Sequence, residues 1–256
     1  MATSGAAGRR FRAPNLGGRQ ALAIIPAYNE AEAIERVLRD LRRHAPWADA
    51  LVVSDGSRDG TADRARRAGA TVLELRVNLG IGGAVQAGYR YALRQGYDLA
   101  FQFDGDGQHR ASRLADIAAP ILDGTADVVT GSRLLEPRGR TSRPERLLGI
   151  RILAAAVSAA AGQRVTDPTS GFRAAGPRAI ALFAREFAQD YPEPEAIVLA
   201  VRHGLRFREV PTTIRRRRAG RSSIRLLDGI HYMTKVLLAV IMGLFKGPVR
   251  LEEEVA

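Results

Sequence analysis

No cysteine occurs in the 256 residues, so disulfides, thiolate catalysis and cysteine-ligated metals are excluded. That absence suits a reducing compartment such as the cytosol. No stretch reaches the roughly 18 consecutive apolar residues of a membrane span. The closest run, Val236 to Phe245, lies between Lys235 and Lys246; as a helix it would cover about half of a bilayer core. Met1 to Gly18 is rich in Gly, Ala and Arg and lacks an apolar core, so it does not read as a secretory leader. Residues 1–20 are expected to form a disordered tail. Acidic residues are in deficit: 39 Lys and Arg against 27 Asp and Glu leave a net charge of +12, most of the excess being arginine. Such a field favours phosphorylated ligands, a membrane surface or nucleic acid, or is simply a basic surface.

What is present is ordinary for a globular chain: 46% hydrophobic and 26% charged residues, long enough to bury a large core. Short apolar runs alternate with helical patterns. Ala21 to Ile25 reads as a strand ended by Pro26. Ile34, Val37, Leu38 and Leu41 recur at helical spacing, with Asn29 as N-cap and Glu32 completing a capping box. Leu51–Val53, Thr71–Leu75, Leu99–Phe103 and Asp127–Thr130 read as further strands. Helices are expected from Thr61 to a stop at Gly69, and over Gly82–Gln95, Glu145–Ala161 and Glu195–His203. A strand is expected at Leu205–Val210 and a terminal apolar helix from about Leu226 to Phe245. Alternation of this kind implies βαβ units, a mostly parallel sheet, and ligands beyond the carboxyl ends of the strands.

The turns at those ends carry the chemistry. Asp104-Gly105-Asp106 directly follows a buried strand. In extended backbone, side chains two apart face the same way, and Gly105 lets backbone come close. Hard oxygen ligands of this type select Mg²⁺ or Mn²⁺ and bridge it to substrate phosphates. Gln108 and His109 lie within reach to add a ligand or orient a donor; a plain Asx-rich turn is the alternative. Asp55, at another strand end, suits a base N–H or a ribose hydroxyl, whereas Asp59 suits a helix cap. Pro26-Ala27-Tyr28-Asn29-Glu30 offers an aromatic to stack on a base and a carboxylate for a ribose. Asn78 to Gly83 precedes a helix and either cradles phosphate or is a loop needing positive φ; it lacks the Gly-Lys-Ser/Thr of a P-loop. Arg215 to Ser223 is the densest charge, and guanidinium forks fit phosphate oxygens. The apolar helix after it suits a membrane surface, a core or a second copy.

Taken in order, these segments, with Gly131-Ser132-Arg133 and Asp167-Pro168-Thr169-Ser170-Gly171-Phe172-Arg173, resemble the family 2 glycosyltransferases of GT-A fold. The nearest subgroup is the dolichyl-phosphate mannose and polyprenyl-phosphate sugar synthases. The resemblance spans about Ala21 to Ser223. It implies an α/β, Rossmann-like domain over 21–225, followed by a membrane-proximal helix and tail over 226–256. It implies that Pro26, Tyr28, Glu30 and Asp55 hold the nucleoside of a nucleotide-sugar donor. Asp104, Asp106 and Gln108 would hold the metal and diphosphate, and Arg133 would lie near an acceptor phosphate. Arg217 and Arg218 would neutralise donor phosphate, with Asp106, Arg217 and Arg133 as the catalytic set. The implied reaction is an inverting single displacement onto a lipid phosphate. It would occur at the cytoplasmic face of the cell membrane, with the protein peripheral or held by a small membrane partner or a second copy. Nucleic acid is not an expected partner, since only charge suggests it. A phosphate acceptor needs no strong base; a sugar hydroxyl does, and Glu195 or Asp167 would then be candidates. Three departures stand out: Ser54 replaces the first acid of the usual Asp-Asp-Gly-Ser, Ser223 replaces a lysine of the basic loop, and Tyr191 to Glu195 has no assignable counterpart.

Overall fold

The computed structural model describes residues 13–135 and 144–213, together with Lys235 and Leu238. The basic loop with Arg217 and Arg218, and the expected terminal helix apart from those two positions, lie outside the described residues. Seven strands form one sheet: β1 (Ala21–Ala27), β2 (Asp49–Asp55), β3 (Thr71–Leu75), β4 (Leu99–Gln102), β5 (Val128–Ser132), β6 (Arg173–Ala175) and β7 (Phe207–Pro211). Their order is β3-β2-β1-β4-β6-β5-β7. Only β6 runs antiparallel to its neighbours β4 and β5; the other pairs are parallel. The helices are α1 (Ile34–His44), α2 (Thr61–Arg67), α3 (Gly80–Arg94), α4 (Leu114–Leu122), α5 (Pro144–Ala161), α6 (Pro177–Arg185) and α7 (Pro192–Arg202).

The central strands β1, β4, β6 and β5 are buried on both faces, as in other largely parallel sheets, and the edge strands β3 and β7 are only partly covered. On β1, Leu22 and Ile24 point into one core with residues of α3, α6 and α7. Ala21, Ala23, Ile25 and Ala27 point into the other, with α1 and α4. The four helix positions expected to be apolar, Ile34, Val37, Leu38 and Leu41, are all buried.

Two local expectations are corrected, and three elements were not foreseen. Pro26 does not end β1, which continues to Ala27. Ile24 faces β4 and accepts the Phe103 N–H at 2.9 Å. Two residues on, Pro26 faces the same side, where β4 has already ended at Gln102. Its missing N–H therefore removes no ladder bond. Asn29 is not the cap of α1, which begins only at Ile34 without a side-chain cap. Asn29 instead adopts φ 55° and accepts the Arg58 N–H at 2.9 Å. Finally, the sequence pattern missed β6, α4 and α6. The three-residue β6 is too short for periodicity to register, and Pro120 interrupts the pattern of α4.

Candidate active site

The loops after β1, β2 and β4 meet at one edge of the sheet. Asn29 N–H donates to Ser57 Oγ at 3.1 Å, and that hydroxyl donates to the Ala27 carbonyl at 3.3 Å. Glu30 N–H donates to Thr61 Oγ1 at 3.0 Å. Asp59 accepts the Ala31 N–H at 3.0 Å and the Thr61 N–H at 3.1 Å. It is not the cap expected of it, since Gly60 holds the N-cap position of α2, and it instead ties the β1 and β2 loops together one residue earlier. Burial works against its charge, but these bonds outweigh it and hold the carboxyl below the ordinary aspartate value. Tyr28, half exposed, stands beside this lacework with its ring available for stacking.

Asp55 is buried at the end of β2 and accepts the Leu79 N–H at 2.7 Å. Gly56 makes that approach feasible. Its φ is +66°, and a Cβ there would lie 2.7 Å from Asn78 N. The glycine-rich turn at the start of α3 serves packing. A Cβ on Gly82 would lie 2.2 Å from the Ala188 carbonyl oxygen, and one on Gly83 would lie 2.5 Å from Leu79 Cβ. The close approach that these two glycines permit is to protein.

Beyond β4, Gly105 and Asp106 form a turn. The extended alternation invoked for Asp104 and Asp106 therefore does not apply; the turn itself sets their directions. Gly105 is needed, since a Cβ would lie 2.9 Å from the Pro26 carbonyl oxygen. That contact seats the acidic turn against the end of β1. Asp106 accepts Gln108 N–H at 2.9 Å and also the Gln108 side-chain amide. His109 is buried against Phe172, ring centroids 4.9 Å apart. Its Nδ1 accepts the Asp104 N–H at 3.1 Å, which leaves the proton on Nε2, 3.4 Å from Asp104 Oδ2. Gly171 leaves room in front of Asp104: a Cβ there would lie 3.4 Å from Oδ1.

The donor set suits Mg²⁺ or Mn²⁺. Asp104 is about one-third exposed and Asp106 is partly exposed, both as oxygen ligands. Among the described residues no cluster of three or more His, Cys, Asp or Glu could cage a metal ion. One or two carboxylates completed by water and substrate phosphates is the usual way such ions are held.

On the other side of Asp104 the loops after β5 and before β6 are joined by charge. Arg133 forks onto Asp167, Nε to Oδ2 at 2.6 Å and Nη2 to Oδ1 at 2.7 Å, and Nη2 also meets Thr169 Oγ1 at 2.6 Å. Burial disfavours both charges, but each partner outweighs it: Arg133 is held above its ordinary value and Asp167 below. A carboxylate held this way is a poor proton acceptor, which disfavours Asp167 as a base. Sequence reasoning did not find the fork. Nor did it find Glu209 on β7, which accepts Thr166 N–H at 2.7 Å, Thr166 Oγ1–H at 2.8 Å and Asp167 N–H at 2.9 Å. It also missed Arg173, wholly buried on β6. Arg173 Nη2 donates to the Glu193 carbonyl at 2.8 Å, and its guanidinium lies 6.0 Å from the Phe183 ring centroid. No strand pattern could have flagged either residue: β6 is only Arg-Ala-Ala, and on β7 Glu209 follows another charged residue, Arg208.

Comparison with known proteins identifies the family and the fold. Residues 22–186 match the model of glycosyl transferase family 2. An undecaprenyl-phosphate mannosyltransferase of Micrococcus luteus is 36% identical over 226 residues, 79% of this chain and 86% of that protein. A UDP-N-acetylglucosamine–dolichyl-phosphate N-acetylglucosaminyltransferase of Methanococcus voltae is 29% identical over 208 residues, 73% and 82% of the two chains. Among solved structures, glucosyl-3-phosphoglycerate synthase of Mycobacterium tuberculosis, in complex with Mn²⁺, UDP-glucose and phosphoglyceric acid, superposes with a TM-score of 0.69 at 23% identity. The superposition covers 90% of this chain and 80% of that one, and it establishes the GT-A fold. The chain belongs to glycosyl transferase family 2.

Proposed function

We propose that the chain transfers a sugar from a nucleotide-sugar donor to a polyprenyl phosphate, with inversion at the anomeric carbon. The observation that carries this reading is the pair of carboxylates, Asp104 and Asp106, seated against β1 with Arg133 on their far side. The nucleoside would lie over the β1 and β2 ends, against Tyr28, Glu30, Asp55 and Pro26. Asp104 and Asp106, the latter oriented by Gln108, would hold a divalent ion, whose chemistry is to offset charge on the departing diphosphate. Arg217 and Arg218 would add positive charge there. His109 keeps Asp104 in place through its ring nitrogens. Arg133, fixed by Asp167, would present its cationic edge to the acceptor phosphate. That acceptor is already ionised at neutral pH and needs no base, in keeping with Asp167 being held by Arg133.

The relatives' names, undecaprenyl-phosphate mannosyltransferase and dolichyl-phosphate N-acetylglucosaminyltransferase, favour the lipid acceptor over a saccharide. Among the described residues no helix is long and apolar enough to cross a membrane. A peripheral position at the inner membrane face, with 21–225 as the catalytic domain and 226–256 against lipid, a small membrane partner or a second copy, is part of the proposal. The test is incubation with undecaprenyl phosphate, Mn²⁺ and, in turn, labelled GDP-mannose, UDP-glucose and UDP-N-acetylglucosamine. Label entering the lipid extract from one donor, with an inverted anomeric configuration by NMR, is the expected result. Label found only in water-soluble saccharide would refute the lipid acceptor.

A further inference from the structure

We infer that Glu209, on the edge strand β7, is a positioning residue for Arg133, acting through Thr166 and Asp167. This rests on the acceptor-side reading of Arg133 given above.

Arg133 leaves the end of β5, and Asp167 lies in the loop between α5 and β6. Nothing in local sequence brings residues 133 and 167 together, so the loop must be held from outside. Glu209 holds it. Its Oε2 accepts both the backbone N–H and the hydroxyl of Thr166, and its Oε1 accepts the backbone N–H of Asp167. The same Thr166 hydroxyl meets Ser132 Oγ at 2.7 Å, next to Arg133 in the chain. The Asp167 carboxylate, wholly buried, then receives the Arg133 backbone N–H at 3.1 Å and both arms of its guanidinium fork.

The strand register makes the arrangement economical. Glu209 pairs with Thr130 on β5, two residues before Ser132, so both ends of the relay share one rigid ladder. A carboxylate is the one side chain of this length with two acceptor oxygens and no donor. Glutamine would place an NH₂ against a backbone N–H and lose one side of the grip. Burying an acid costs stability, and the burial of Glu209, with Asp167 nearby, pushes its carboxyl above the ordinary glutamate value despite the three bonds. Leucine or valine would hold an edge strand at lower cost. A buried acid spanning two consecutive amides of the Asp167 loop is explained by the need to fix that loop.

Two measurements decide the matter. In protein labelled with ¹⁵N-arginine, the Arg133 Nε–H signal, identified by its loss in Arg133→Lys, is protected from exchange by the Asp167 fork. Glu209→Gln should lower that protection by about tenfold or more while the other arginine signals hold. Unchanged protection overturns the inference. The second is a double-mutant cycle on acceptor kcat/KM with undecaprenyl phosphate. Glu209→Gln should cost about tenfold in the native background and under about twofold in Arg133→Lys, because residues acting as one unit are not additive. A merely structural Glu209 would multiply the two losses, and that result would refute the relay. If Arg133→Lys itself leaves acceptor kinetics untouched, the acceptor-side role of Arg133 falls, and the relay's purpose with it. Should Glu209→Gln fail to fold, Thr166→Val removes one of the three bonds and should give the same pattern at smaller size.

Discussion

The loops on the two sides of Asp104 are built in different ways. Beyond β1 and β2 they are joined by backbone N–H groups donating to Asn29, Ser57, Thr61 and Asp59, mostly part-exposed. Beyond β5 and before β6 they are joined by buried charge: Arg133 with Asp167, Glu209 behind them, and Arg173 deep in the sheet. A nucleoside is a neutral, flat group, and hydrogen-bonded loops with an exposed tyrosine suit it. An acceptor anion needs a cation held still, and a cation buried to about 15% exposure is held still by a carboxylate. The first region is therefore expected to tolerate single changes better than the second, whose buried charges depend on one another.

That contrast is breakable at several points. The largest effect is expected between the two regions, at Asp106→Ala. Turnover should fall by about 10³-fold, as for loss of a key electrostatic group, with the melting temperature unchanged. On the charged side, Asp167→Ala strands Arg133 without its partner and should cost about 3–5 kcal/mol of unfolding free energy in urea. The pH dependence sharpens this. Asp167 is held below its ordinary 3.8, so its contribution is fully present above that value and is lost as pH falls through the lower folded value. Asp167→Asn should therefore flatten the acid limb of the stability profile. Glu209, pushed above its ordinary 4.5, has the opposite sign: its contribution is present below that value and declines as pH rises through the folded one.

On the hydrogen-bonded side, effects should be smaller. Gly82→Ala drives a methyl into the Ala188 carbonyl oxygen and should cost about 1–3 kcal/mol of stability. If the turn instead cradled phosphate, the loss would appear in nucleotide affinity. Smallest is Asp55→Asn, which keeps an acceptor for Leu79 N–H. It should leave stability within about 0.5 kcal/mol and weaken nucleotide binding about tenfold, roughly 1.4 kcal/mol. A stability loss with unchanged affinity would make Asp55 a purely structural residue.

The same contrast decides what was legible in the sequence. The first half follows period and punctuation: Ile34, Val37, Leu38 and Leu41 face the core as their spacing predicts, Thr71–Leu75 is a strand, and Gly69 stops α2 with φ +78°. Asp104, Asp106 and Asp55 could be picked out because acids at the ends of apolar strands have little use in packing. The second half resisted. Asp167 pairs with a residue 34 positions away and Glu209 reaches 42 positions back, and no local pattern encodes such distances. Asn29 was misread as a cap because its side chain serves Arg58 N–H across 29 residues rather than its own helix. The phosphate-cradle alternative for Gly82 and Gly83 arose because glycine's freedom of approach is visible in sequence, but what approaches is not.

Asp104 and Asp106 are proposed to hold the metal–diphosphate end of the donor. Calorimetric titration of UDP, GDP and dTDP, with and without Mn²⁺, into the native chain and Asp106→Ala tests this most directly. One diphosphate should bind the native chain tightly only with Mn²⁺, and Asp106→Ala should lose that dependence. Equal binding with and without Mn²⁺, or Mn²⁺-dependent binding that survives in Asp106→Ala, would contradict it.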